Sequence, residues 1–338
     1  MPMIPLPNVN ERKHVHIINP CAGDGRLYEG VKRAASQTGE EVRLTGAPGD
    51  VEKICREEIE KDPFVHLVVY GGDGTVHEAV NGICSSGRAL TASFSVIPAG
   101  SGNDYSAYVN GTAGFTPPDL QHLDAVKVTR KTAEGETVRW YANSLNLGFD
   151  GQVVLEADRY KHQKGLRGST AYIAGVAKVL VKKRPVQIRM TLEGVADAVS
   201  GAEHTDGMWG SLTETWDGDK AVIEGEILLT ACANGPFCGG GFRGAPLCSM
   251  TDGLLDVLVV QNISRTKFVS MVGAYHDGTY IGNDGRILPR FREVLQYYQC
   301  RKVCLQTGEF YCMDGEVYEG VTETTVEAVP EAVWFAAL

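Results

Sequence analysis

The sequence has no C-x-x-C spacing, no apolar run long enough to cross a bilayer and no excess of positive charge, and each absence closes a class of function. Nine cysteines are an odd set, and Met1–Asn10 holds no apolar core of signal-peptide length. The thiols are therefore expected to be reduced and the protein cytoplasmic. Cys300 and Cys304 fall in an apparent strand, where they read as buried small hydrophobes rather than metal ligands. The longest apolar stretch, Ala171 to Val181, is interrupted by Lys178 and falls short of the roughly 20 residues a spanning helix needs. Lys and Arg total 32 against 42 Asp and Glu, a net charge of −10. Phosphate neutralisation requires clustered cations, so a general nucleic-acid binder is excluded. The G-x-x-x-x-G-K-[ST] pattern of a P-loop is absent. Gly239-Gly240-Gly241-Phe242-Arg243-Gly244 matches G-x-G-x-x-G, but Pro246 follows and no helical stripe comes after it, so a dinucleotide site is rejected.

One segment runs against the acidic total. Arg159 to Arg184 holds eight basic residues and no acidic one. It is either a solvated face or a surface for an anionic membrane or a phosphate-bearing ligand.

The 338 residues are enough for two hydrophobic cores, and 43% hydrophobic with 22% charged residues is an ordinary globular balance. Glycine is in excess: 40 residues, about 12% against a usual level of roughly 7%. Strand and helix signals alternate through the first third. His14–Ile18, Val42–Thr45, Phe64–Tyr70 and Phe94–Ile97 read as strands. Leu27/Val31/Ala34/Ala35, Val51/Ile54/Cys55/Ile59 and Val76/Ala79/Val80/Ile83 read as amphipathic helices between them. That alternation predicts an α/β domain, a Rossmann-like parallel sheet with helices on both faces, over 1–128. From 129 to 338 the runs are strand-like, predicting a β-rich antiparallel sandwich with one helix near 170–183. Residues 195–221 read as a long loop or an insertion.

Three polar, glycine-bearing loops follow three strands of the first domain: Asn19-Pro20-Cys21-Ala22-Gly23, Gly71-Gly72-Asp73-Gly74-Thr75, and Pro98-Ala99-Gly100-Ser101-Gly102-Asn103-Asp104. In a parallel sheet these are carboxyl ends of strands, where ligands bind. Glycine admits close backbone approach, and a helix start favours anions such as phosphate. Asp73 would repel a bare phosphate, so its presence implies Mg²⁺ between them. The plainer reading of the second loop is a turn with a capping box, Thr75-x-x-Glu78, which leaves the glycines around an acid unexplained.

This set of residues resembles the diacylglycerol kinase and sphingosine kinase catalytic-domain superfamily, its bacterial soluble lipid kinases most closely. The resemblance continues through Asn81, Asn143-Ser144, Gly148-Phe149-Asp150, Asn234, Asp252-Gly253-Leu254 and Asp314-Gly315-Glu316. It implies an ATP-dependent kinase that phosphorylates a lipid hydroxyl, diacylglycerol or a relative, with MgATP in a cleft between the two domains. Asn19, Pro20, Gly23, Thr45, the Gly71–Thr75 loop, Glu78, Ser101, Asn103 and Asp104 would contact nucleotide or its Mg²⁺. Asp73 would serve the catalytic metal, and Asp314 or Glu316 would be the general base; the alternative for these last two is a hairpin turn. Asp124 at the domain junction is a further matched acid. The family's structural metal site maps to Asp252 with carbonyls of Ser249 and Leu254, or else that segment is an ordinary turn. The chain stops soon after Val333-Trp334-Phe335, without the returning helix the resemblance leads one to expect. Competing readings are an NAD kinase-like phosphotransferase, which shares the Gly-Gly-Asp-Gly loop, and a regulator that binds nucleotide or lipid without turnover. Oligomeric state stays open between monomer and homodimer.

Overall fold

A computed structural model describes residues 7–20, 26–100, 102–112, 121–164, 178–179, 184–198, 206–319 and 322–336. The chain forms two units, 1–125 with 330–338, and 126–329.

In the first unit β1 (His14–Ile18), α1 (Arg26–Thr38), β2 (Glu41–Leu44), α2 (Asp50–Lys61), β3 (His66–Gly71), α3 (Asp73–Ser85), β4 (Ser93–Pro98) and the short α4 (Asp104–Ala107) follow one another. The strands pair in parallel in the order β2-β1-β3-β4. A helix between successive strands carries the chain back to the starting edge, which makes the sheet parallel. The near-continuous apolar run of β3 is buried at every position, as covering both faces requires. The predicted stripes Val51/Ile54/Cys55/Ile59 and Val76/Ala79/Val80/Ile83 are the buried faces of α2 and α3.

The second unit begins within β5 (Gln121–Thr132). It continues through β6 (Gly135–Tyr141), β7 (Ser144–Gly148), α5 (Phe149–Lys164), β8 (Val186–Glu193), β9 (Asp197–Ala198), β10 (Gly207–Trp209), β11 (Leu212–Asp217) and β12 (Lys220–Ala233). Then come β13 (Leu255–Gln261), α6 (Arg265–Asp277), β14 (Leu295–Cys300), β15 (Lys302–Gln306), β16 (Tyr311–Met313), β17 (Glu316–Tyr318) and β18 (Glu323–Phe335). The long strand β12 belongs to two antiparallel sheets. Its first half lies between β11 and β8, its second half between β13 and β7, and the register shifts between Ile227 and Leu229. One sheet extends from β8 to β15 and β18, the other from β7 to β16 and β17 and from β13 to β14. Alternate residues Val186, Ile188, Met190 and Leu192 join Leu145, Leu147, Val257 and Val259 in the sandwich core. Phe149, Val153, Phe268, Met271 and Tyr275 of α5 and α6 pack with Ala231, Ala233 and Leu258 in a second cluster.

Several expectations need correction. By packing, the chain divides at other points than the expected 1–128 and 129–338: from Pro330 it belongs to the first unit, where Trp334 and Phe335 pair in parallel with Ser93 and Phe94 of β4. Phe335 is fully buried there, edge-on to Phe94 and Tyr105, and that burial returns the last strand. The described residues of 195–221 are not one long loop: they hold β9, β10 and β11, with Leu212 and Ala221 in the core and Trp209 and Trp216 packed against it. Cys300 and Cys304 stand on two strands, β14 and β15, and both thiols are free. The helix expected near 170–183 lies outside the described residues except at 178–179. Among the described residues no helix is long and apolar enough to cross a membrane.

Candidate active site

In the order β2-β1-β3-β4 the sequential neighbours of β1 lie on opposite sides of it, which makes the β1/β3 junction the topological switch point where open α/β sheets bind ligands. Asn19 and Pro20 follow β1, Thr45 follows β2, Gly71–Thr75 closes β3 into α3, and 99–104 links β4 to α4. All these predicted residues therefore reach one edge of one sheet. Thr45 is buried and its N–H donates to the Ile18 carbonyl at 3.1 Å. The Ala99 N–H donates to the Gly71 carbonyl at 3.0 Å, so the second and third loops start as hydrogen-bonded neighbours.

The glycines of those loops face each other. A Cβ on Gly100 would lie 2.5 Å from the Gly72 Cα, and one on Gly72 would lie 2.9 Å from the Gly100 Cα. Backbone meets backbone here, so neither loop accepts a side chain. Asn103, at a φ of 61°, closes its own loop by accepting from the Gly100 N–H at 2.9 Å and donating to the Gly100 carbonyl at 2.8 Å. The Asp73 carboxylate, in the first turn of α3, accepts the Tyr105 N–H at 3.1 Å and ties the second loop to α4. Tyr105 carries no motif signal of its own; its backbone does the work. Asp104, one residue earlier, is buried at the start of α4. Gly100→Ala is expected to force these loops apart, lowering the melting temperature by several degrees and raising the KM for nucleotide, both readable on purified protein.

Glu78 has a different employer. Its two carboxylate oxygens accept the N–H groups of Gly49 at 2.8 Å and Val51 at 3.0 Å, at the N-terminus of α2. The N-cap of α3 is Gly72 rather than Thr75, so Thr75 and Glu78 do not form the capping box of the plainer reading. Glu78→Ala should cost about 1–2 kcal/mol of stability, as loss of a helix cap does, while kcat stays within about twofold. Gly23 and Ser101, both expected at the nucleotide, lie outside the described residues.

In the second unit, Asp314 and Gly315 are the two central residues of the β16–β17 hairpin, with φ of 48° and 91° between the paired Met313 and Glu316. Positive φ at both centres is the two-residue turn whose twist suits a hairpin, for which Asp-Gly is a preferred pair. The hairpin and the acid pair thus coexist. The buried Asp314 carboxylate accepts three backbone N–H groups, from Ala142 at 2.9 Å and from Asn143 and Ser144 at 3.0 Å each. Glu316 is exposed. Asp124 is buried in the first unit, where it accepts the Glu331 N–H at 2.9 Å and helps hold the returning strand.

Asp252 is exposed and accepts the Leu254 N–H at 3.0 Å, while the Ser249 hydroxyl lies 3.0 Å from that of Thr251. Among the described residues no cluster of three His, Cys, Asp or Glu is arranged to hold a metal. The expected donors, the Asp252 carboxylate and the carbonyls of Ser249 and Leu254, are all oxygens, a chemistry that would suit a hydrated Mg²⁺ and not a soft metal. Four residues on, Asp256 is buried; burial first, and the neighbouring Asp252 charge, push its carboxyl up to about 7, against hydrogen bonds from Tyr297 at 2.6 Å and Gln299 at 3.2 Å. The G-x-G-x-x-G match is a bridged turn between Cys238 and Phe242 and not a strand-turn-helix. Of the basic segment, Lys178 pairs with Glu156, and Arg184 with Glu309 at 2.8 Å.

A parallel α/β unit with glycine-bearing loops at its switch point, followed by a β-sandwich unit that presents an acid turn, defines a phosphotransferase of the two-domain kinase type. Residues 13–137 match the diacylglycerol kinase catalytic domain, and residues 143–337 match the YegS C-terminal NAD kinase beta sandwich-like domain. The chain belongs to this lipid kinase family and is a phosphotransferase with an alcohol acceptor. It is 25% identical over 291 residues to YtlR of Bacillus subtilis (strain 168), covering 83% of this chain and 88% of that one. It is 23% identical over 308 residues to a protein of Mycobacterium tuberculosis (strain ATCC 25618 / H37Rv) named diacylglycerol kinase, covering 88% of each. A crystal structure of a diacylglycerol kinase from Bacillus anthracis str. Sterne superposes with a TM-score of 0.60 over 97% of each chain at 19% identity, a likeness of fold.

Proposed function

We propose that this chain transfers the γ-phosphoryl group of ATP to a lipid hydroxyl, with diacylglycerol or a related lipid as acceptor. The observation that carries the reading is the set of loops at the β1/β3 switch point, where Gly72 meets Gly100 and Asp73 stands at the start of α3. Backbone N–H groups and a helix N-terminus suit phosphate. A carboxylate in that setting is a hard oxygen donor for Mg²⁺, which when bound neutralises charge on the phosphate oxygens. Asn19, Pro20, Thr45, Thr75 and Asn103 surround the nucleotide in this reading, and Gly71, Gly72 and Gly74 give the backbone its close approach.

Phosphoryl transfer asks the protein for positioning and charge neutralisation. The acceptor oxygen forms a bond to the γ-phosphorus, the bond from that phosphorus to the bridging oxygen of ADP breaks, and the hydroxyl proton passes to a base. Glu316 suits that base: it is exposed, whereas both oxygens of Asp314 already accept backbone N–H groups. Asp252 with the Ser249 and Leu254 carbonyls holds a structural Mg²⁺ in the same reading. The basic residues from 159 to 184 touch an anionic membrane surface during turnover, making the protein peripheral there.

The deciding experiment offers radiolabelled ATP and Mg²⁺ with diacylglycerol in mixed micelles, and separately with NAD. A phosphorylated lipid is the expected product. Label in NAD alone would overturn the lipid reading, and ATP binding without transfer to either acceptor would leave a regulator.

A further inference from the structure

Along β7, Leu145 and Leu147 point into the sandwich core. Strand alternation therefore sends Ser144 and Asn146 to the other face, where α5 begins. Asn146 is in register with Cys312 of β16 and Ala231 of β12, so small side chains flank it on both sides. Asn146 is only 8% exposed; its Nδ2 donates to the Ser144 hydroxyl at 2.8 Å, and its Oδ1 is buried with no hydrogen-bond partner among the described residues. A buried amide oxygen left unpaired costs about 1–3 kcal/mol, which a native site tolerates when something else donates to it.

The first turn of α5 supplies a second acceptor in the same place. The Cys312 thiol donates to the Gly151 carbonyl at 3.7 Å, which sets Asp150–Gly151 over the Asn146–Cys312 row. Asp150 is buried, and its Oδ2 accepts the Tyr275 hydroxyl at 2.8 Å; no donor to Oδ1 is found among the described residues. Burial pushes this carboxyl up to about 6 against the Tyr275 bond, the behaviour of a carboxylate that has lost water without gaining a cation. The polar track then continues toward the proposed base: Asn146 bonds Ser144, and the Ser144 N–H donates to Asp314, two residues before Glu316.

Both open atoms are acceptors, so their ligand must donate. We propose that Asn146 and Asp150 select the acceptor's head group, each taking a hydrogen bond from a second hydroxyl or an ammonium beside the hydroxyl that is phosphorylated. This deepens the lipid kinase reading and rests on it. Diacylglycerol offers one hydroxyl and otherwise ester oxygens, which cannot donate. An acceptor-lined site rejects a head that lacks the donor far better than an apolar pocket rejects an extra group.

The test measures kcat and KM with MgATP for three acceptors in mixed micelles: dioleoylglycerol with one hydroxyl, mono-oleoylglycerol with two, and sphingosine with an ammonium and two hydroxyls. The wild type should favour one of the multi-donor lipids over dioleoylglycerol by roughly tenfold or more in kcat/KM, and which of the two wins tells hydroxyl from ammonium recognition. Asp150→Asn, which preserves an acceptor for Tyr275, and Asn146→Leu should each erase most of that advantage through KM, with thermal melts showing both variants folded. Preference for dioleoylglycerol, or an unchanged ratio in both folded variants, overturns the inference while lipid kinase activity stands. Failure to phosphorylate any lipid overturns the activity and this subsite together.

Discussion

Asp73→Ala is expected to abolish phosphoryl transfer, with kcat down by about 10²–10³-fold or more and the fold intact. The size follows from the role: a carboxylate that holds a cation against the transferred phosphate acts where charge develops, and removing one such electrostatic contact costs about 3–4 kcal/mol of transition-state stabilisation. The structural cost is smaller. The Asp73 side chain accepts the Tyr105 N–H at 3.1 Å, a bond worth about 1.5–3 kcal/mol to a charged acceptor. Asp73→Asn separates the two roles, since its carboxamide oxygen can still accept from Tyr105 while the charge is gone. Both variants should be inactive, but only the alanine variant should melt several degrees lower. Near-normal turnover in either would remove the switch-point loops from the catalytic site.

The two units were legible in the sequence to different depths, for physical reasons. In the first, strands buried on both faces leave nearly continuous apolar runs such as Phe64–Tyr70, and each helix between them carries a clean stripe, so the parallel unit can be read directly. Its ligand edge follows from topology, since loops after successive parallel strands must share an edge. Close approach of Gly72 to Gly100 was not legible, because nothing local marks two loops as neighbours. Nor was the assignment of Glu78 to α2, a bond across 29 residues of chain. In the sandwich, α5 and α6 were missed because sheet packing, and not propensity, sets their buried faces. For α6 a signal existed: Ser264 accepts the Lys267 N–H at the start, Gly278 ends the helix at a φ of 70°, and Phe268, Met271 and Tyr275 recur at helical spacing between them. The β10–β11 hairpin reads as a loop because its strands are short and acidic on the outside, with only Leu212 fully buried among their residues. Asn146 and Asp150 lay inside a family match yet carried no role there, for an unpaired buried oxygen is a property of packing and leaves no trace in sequence.

Asp314 and Glu316 should separate when mutated singly, one failing in stability and the other in chemistry. Asp314 sits at a φ of 48°, a left-handed conformation that Asp, with Asn and Gly, adopts more readily than other residues, and its carboxylate gathers three N–H groups from 142–144. Asp314→Ala would strand those donors in a buried place, each at about 1–3 kcal/mol before relaxation. An observed loss of about 3–5 kcal/mol is expected, enough to lower the melting temperature by ten degrees or more. Asp314→Asn can return at most one oxygen to the three donors and brings an amide donor against them, so it rescues little. Glu316 begins β17 exposed, paired in register with Met313, and Glu316→Gln should leave the melting temperature within about a degree. Its kcat should fall by about 10²–10⁴-fold, the usual worth of a general base, with the KM for ATP little changed because the defect lies in proton removal and not in nucleotide binding. Asp314 in this account is a positioning residue: it fixes the turn that aims Glu316 and pins the start of β7, so its variants lose activity in proportion to lost structure. Measuring melting temperature and kcat on the same preparations decides the matter. A folded, stable Asp314→Asn enzyme without activity would move the base from Glu316 to Asp314, and an active Glu316→Gln enzyme would do the same from the other side.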